Sequence, residues 1–170
     1  SKCKTMITLW RNNLGVVLLQ YGMLALFTAQ ALFKNIPFSI NWWLIVILAL
    51  VLGTLEFFWP VRRAFIYLFL MAEGILILGL TFLDQEFMFL GFVFGPHAMI
   101  LLPMRQATVL LGGLAILFEV LLVTRYGAGE VLYPGLVLIL GMFAFGNAFY
   151  QKERADTALD ETRRLLNELQ

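Results

Sequence analysis

The stretch PVRRAFIYLFLMAEGILILGLTFLDQE, residues 60–86, decides the class of the fold. From Ala64 to Leu83 it runs for 20 residues with a single charged side chain, Glu73. At about 1.5 Å of rise per residue such a run makes a helix about 30 Å long, which matches the hydrocarbon core of a bilayer. A strand of a membrane barrel would need about half as many residues. The reading is a transmembrane α-helix, entered from a basic pair and left at an acid.

Working outward from residues 64–83, the same pattern recurs at 14–33, 42–59, 87–103, 107–123 and 131–150, giving six runs of 17 to 20 residues. The breaks are KNIPFSIN (34–41), PVRR (60–63), DQE (84–86), MRQ (104–106) and TRYGAGE (124–130), too short to hold an extramembrane domain. The composition agrees: 61% of the 170 residues are hydrophobic and 14% charged, against about 45–50% and about 25% in soluble domains. So much apolar surface cannot be hidden inside a globule of this size. Disorder and a disulfide-stapled fold are excluded, and a formal net charge of +1 excludes nucleic acid as a partner held by broad positive charge. The single Cys3 is expected to be a reduced thiol near the start of a fragment.

Charges concentrate at the ends, with three in residues 1–11, nine in 152–170 and eleven between. Basic residues flanking spans are retained in the cytoplasm. With the amino terminus inside, the inner segments hold Lys2, Lys4, Arg11, Arg62, Arg63, Arg105, Lys152, Arg154, Arg163 and Arg164, and the outer loops only Lys34 and Arg125. The expected fold is all-α: a six-helix domain over residues 1–150 in the inner membrane with both termini cytoplasmic, followed by a cytoplasmic coiled-coil-like helix over 151–170. Trp42, Trp43, Trp59, Tyr133 and Tyr150 suit interfacial positions.

In the tail, QKERADTALDETRRLLNELQ, the residues Ala155, Leu159, Thr162, Leu166 and Leu169 recur at spacings of 4, 3, 4 and 3, the seam of a heptad helix. Counting back in phase gives Lys152, Ala148, Phe145, Gly141 and Leu138, which predicts one continuous helix from the last span into a homodimeric stalk. The small residues Gly141 and Ala148 would allow close approach of two copies. The alternative is a solvated tail on the membrane surface. Five acids beside four bases disfavour it, because surface helices usually present a basic face.

No phosphate-binding loop, dinucleotide fingerprint, HExxH, CxxC or Ser/His/Asp arrangement occurs, so no catalytic residue, cofactor or metal site is read from the 170 residues. The remaining candidates are charges and a histidine within spans, which are costly in lipid and therefore face a bundle interior or cavity. Glu73 and His97 are expected at overlapping depths, about 14 Å and about 9 Å from the inner ends of their helices, close enough to meet either as an interhelical contact or as a sensing element. Glu119, near the outer end of its helix, is expected to reach headgroup water or pair with Arg125, although Gly112, seven residues before it on the same face, suggests that this face packs inward. Glu56, close to Arg62 and Arg63, is expected to snorkel to the interface. Pro96, preceded by Gly95, should kink or loosen the fourth helix. Matching broken helices in the two halves, the mark of repeat-built carriers, are missing, which ranks transport below sensing.

Three stretches, PVRRAFIYLFLMAEGILILGLTFL, FMFLGFVFGPHAMILLP and VLYPGLVLILGMFAFGNAFYQKERADTALDETRRLLNELQ, resemble the membrane-sensing half of bacterial histidine kinases of the DesK and NarX type. The resemblance covers most of residues 60–170, and the Arg/Glu-rich linker ending RRLLNEL is its most telling piece. It implies a sensor-kinase input module whose linker feeds a dimerising helix with a phosphorylated histidine, then a domain binding ATP and Mg, with a response regulator as partner. Those parts are expected beyond Gln170, and His97, inside a span, is not the phosphoacceptor. An input module for another output enzyme, such as a cyclic-dinucleotide synthase, and a small transporter or channel stand as alternatives.

Overall fold

The computed structural model describes residues 14–57 and 63–169, all helices and short connections with no strand among them. The expectations placed on Lys2, Cys3, Lys4, Arg11, Trp59, Pro60 and Arg62 lie outside the described residues, as does the side chain of Leu169. In chain order the helices are α1 (Leu14–Lys34), α2 (Ile40–Phe57), α3 (Arg63–Leu83), a 3-10 turn (Gln85–Leu90) running into α4 (Gly91–Leu101), α5 (Met104–Tyr126) and α6 (Ala128–Leu169). Among the described residues five of them, α1, α2, α3, α5 and α6, are long and apolar enough to cross a membrane. The fourth apolar segment, Gln85–Leu101, is shorter.

That segment departs from the sequence expectation in an instructive way. Helix α4 runs unbroken through Pro96, and the irregularity sits at its entry instead. Asp84 accepts a hydrogen bond from the Glu86 backbone N–H at 3.0 Å, and the chain winds through six residues of 3-10 helix before settling into α geometry. The other correction concerns TRYGAGE. Its flanks are helical, and the reversal is made at Gly127 alone, whose φ of +92° only glycine adopts without strain.

The long helices expose large apolar side chains on their outer faces, for example Leu18, Ile47, Leu68, Val109 and Leu140. Helix α4 exposes none: Gly91 and every residue from Val93 to Met99 are buried. It is the axis around which the others pack, chiefly α6 on one side and α3 and α5 on the others. Because the outer faces would lie against lipid as apolar as the core, burial supplies little force between helices, and close packing with buried polar contacts must hold them.

Contacts at the two ends keep the helices in register. At one end Lys34 pairs with Glu86 at 2.5 Å and approaches Asp84 at 3.9 Å. There too the Tyr126 hydroxyl donates to the Thr81 carbonyl at 3.0 Å, and the Arg125 guanidinium lies over the Phe82 ring. At the other end the Tyr67 hydroxyl donates to Gln106 Oε1 at 2.5 Å.

Helix α6 is 42 residues long and continuous through Pro134 to Leu169, about 63 Å at helical rise and roughly twice the hydrocarbon thickness. Its first half packs into the bundle through Gly135, Leu138, Met142 and Gly146, whereas its described side chains from Gln151 onward are exposed. Along that exposed part Arg164 pairs with Glu168 at 3.1 Å and Arg163 approaches Asp160 at 3.8 Å, the one-turn contacts of a solvated helix.

Candidate functional site

Four helices bring polar side chains to one point inside the bundle. Helix α2 buries Ile45, Ala49, Leu52 and Glu56 as one stripe at spacings of 4, 3 and 4. Helix α3 turns Phe69, Leu70, Glu73, Ile77 and Leu80 inward, and α1 contributes Gln20 between the buried Val17 and Leu24. From α4 comes His97, fully buried like Glu73, with Glu56 only 4% exposed.

His97 Nδ1 and Glu73 Oε1 are hydrogen-bonded at 2.8 Å, the ring N–H donating whenever the carboxyl group is ionised. The same nitrogen lies 3.7 Å from Glu56 Oε2. One donor atom from each of Glu56, Glu73 and His97 falls within 4.8 Å of the other two, and the Gln20 side chain reaches Glu56 from outside the trio. The Phe69 ring flanks the imidazole at a centroid distance of 6.4 Å. Glu56 Oε1 and Glu73 Oε2 are buried without a hydrogen-bond partner among the described residues. Two carboxyl groups and an imidazole in so apolar a setting are tolerated only if their charges are matched locally, by shared protons or by a cation.

Residues 95 and 97 point to opposite sides of α4, so its other face does a different job. A Cβ at Gly95 would overlap the Met142 carbonyl, and one at Gly91 would sit 3.0 Å from Leu138 and 3.2 Å from the Met142 sulfur. On α6, a Cβ at Gly146 would lie 3.1 Å from the Gly95 carbonyl oxygen. Gly91 and Gly95 therefore form a GxxxG face that seats the Leu138 and Met142 side chains at Gly91 and lets α4 and α6 touch main chain to main chain at Gly95. Gly141 receives the Phe92 ring, also from α4. Helix α4 is thus wedged between the acid–histidine cluster and the helix that leaves the bundle.

The other expected positions divide. Glu119 reaches neither open water nor Arg125; its carboxylate abuts Gly135 of α6, with both oxygens buried and lacking a hydrogen-bond partner among the described residues. Arg125 is occupied by the rings of Phe82 and Tyr126. Pro96 is buried beside His97 within the unbroken α4. On α6, Leu138 and Gly141 are engaged by α4 of the same chain, so the inner part of the proposed seam is not free for a second copy. Ala148, Lys152, Ala155, Leu159, Thr162 and Leu166 are exposed along the helix.

Glu56 lies inside the bundle rather than at the interface, and Gln20 joins it there without a sequence expectation. Nearness to Arg62 and Arg63 favoured an interfacial role for Glu56, yet its place four residues beyond Leu52 on the Ile45–Ala49–Leu52 stripe was the better signal. Gln20 was marked only by being an amide in the middle of an apolar run. Comparison of the chain with protein-family models, with curated proteins and with solved structures finds no significant match.

Proposed function

We propose that the chain is the membrane-embedded input module of a bacterial sensor histidine kinase, passing a stimulus from the bilayer or its faces through α6 into a dimeric cytoplasmic helix. The observation that carries this reading is the double duty of α4, with His97 in the polar cluster on one face and, on the other, Gly95 against the α6 main chain and Gly91 against the Leu138 and Met142 side chains. Displacing α4 requires α6 to tilt, turn or slide with it, because backbones in direct contact leave no compressible layer between them. Since α6 runs without a break into the charged tail, that displacement reaches the tail as a rigid movement. A dimeric stalk converts such a movement into a choice between two packings.

Six crossings with both ends cytoplasmic suit the architecture. The 3-10 turn and α4 together extend about 28 Å, six residues at about 2.0 Å and eleven at about 1.5 Å of rise, so the short fourth segment is long enough. It connects the end bearing Lys34 and Glu86 to the end bearing Tyr67 and Gln106, and the ten-to-two basic count favours the latter as the inner end. ATP, Mg and a response regulator belong to the output part of this reading, which the residues following Gln170 would identify as a kinase or as another enzyme.

The test is a spin-label measurement on the chain reconstituted as a dimer. The distance between labels at position 159 of two copies should shift when bilayer thickness or headgroup charge is changed, and the shift should vanish in Gly95→Leu. A strictly monomeric protein, or tails indifferent to the bilayer, would defeat the reading, and solute flux through the reconstituted protein would replace it with transport.

A further inference from the structure

We infer that Glu56, Glu73 and His97 form a binding site for one divalent first-row transition-metal ion of the zinc class, buried where α2, α3 and α4 meet. Binding concerns the chain itself and stands without the signalling reading. Only the consequence, that an ion would fix α4 and thereby α6, rests on it.

Three observations carry the site. First, the donor set is two carboxylates and one imidazole from three different helices, with donor atoms within 4.8 Å of one another. Nitrogen and carboxylate oxygen together suit zinc, cobalt or ferrous iron, whereas calcium needs six to eight oxygens and magnesium holds several waters. Second, the spacing is close to what an ion requires. Ligand bonds of about 2.1 Å in a tetrahedron place ligand atoms about 3.4 Å apart. The observed separations from His97 Nδ1, 2.8 Å to Glu73 and 3.7 Å to Glu56, bracket that value. The two carboxylate donors lie within 4.8 Å of each other, so side-chain adjustment draws all three onto one ion.

Third, the cluster holds unspent acceptor capacity. Glu56 Oε1 and Glu73 Oε2 are buried and lack a hydrogen-bond partner among the described residues, although an unmet polar atom in such surroundings is costly. A divalent cation matches two carboxylates in charge and makes the cluster neutral, which apolar surroundings demand. Gln20, reaching Glu56 from α1, is placed to orient that carboxylate as outer partners of metal ligands do.

The experiment uses the 170-residue chain in lipid nanodiscs on a Cys3→Ser background, stripped with chelator and equilibrated with Zn2+ or Co2+. The expected result is one ion per chain by elemental analysis, with Co2+ giving the visible absorption of a low-symmetry site. Glu56→Gln and Glu73→Gln should each weaken binding by more than the roughly 10–100-fold typical of losing an outer partner, while Glu119→Gln should bind as the background does. His97→Cys keeps a ligand at the same place and should add a thiolate-to-cobalt charge-transfer band, a signature that misfolding cannot produce. No saturable binding, binding by either glutamine variant as tight as that of the background, or no thiolate band in His97→Cys would overturn the site and leave a proton-sharing clasp in its place.

Discussion

The α-carbon of Gly95 in α4 lies against the main chain of Met142 in α6, so closely that any side chain at position 95 would overlap the Met142 carbonyl. Two residues further along the same helix, His97 is bonded to Glu73. Contact with α6 and contact with the polar cluster are therefore properties of one rigid turn.

Replacing Gly95 by alanine should push α4 away from α6. Overpacking of this kind costs about 1–3 kcal/mol, more than any gain in helix propensity returns. Gly112→Ala is the matched control, because a Cβ there meets nothing within 4 Å and alanine favours the helix by up to about 1 kcal/mol. Unfolding followed in mild detergent should rank Gly112→Ala at or above the parent and Gly95→Ala clearly below it. Equal stability of the two variants would contradict the packing described.

Glu73 and His97 should behave as a coupled pair. Each of Glu73→Gln and His97→Gln replaces the carboxyl–imidazole contact by a weaker neutral one, so their effects on stability should fail to add by on the order of 1 kcal/mol. A double-mutant cycle in detergent or lipid measures this directly. Strict additivity would mean that the 2.8 Å contact contributes nothing.

Impermeant thiol labelling of single cysteines in the Cys3→Ser background checks the orientation. Positions 36, 85 and 128 should react from outside intact cells, and position 105 only after the membrane is opened. Position 105 labelling from outside would invert the arrangement and move the tail to the other side.

Crosslinking tests the stalk. Cysteines at 155, 159 and 166 should form intermolecular disulfides far more readily than those at 157, 161 and 164. At 138 crosslinking should be poor, because Leu138 is fully buried within its own chain. A seam that starts only beyond the bundle is what these positions together would reveal.

The sequence by itself determined the apolar helices, the polar breaks between them and the change of composition after Gln151. Length and hydropathy are sums over neighbouring residues, and a helix satisfies its backbone hydrogen bonds within itself, so these features need no knowledge of what packs where. The meeting of Glu73 with His97 was also within reach, since depth along a helix follows from counting residues. Rotation was not. Outward faces that meet lipid are as apolar as inward ones, which removes the amphipathic pattern that tells the faces of a soluble helix apart. Only the tertiary structure decided that Glu56 turns inward on the Ile45–Ala49–Leu52 stripe, that Leu138 and Gly141 are engaged by α4 of the same chain, and that Gly95 and His97 set α4 between the polar cluster and α6.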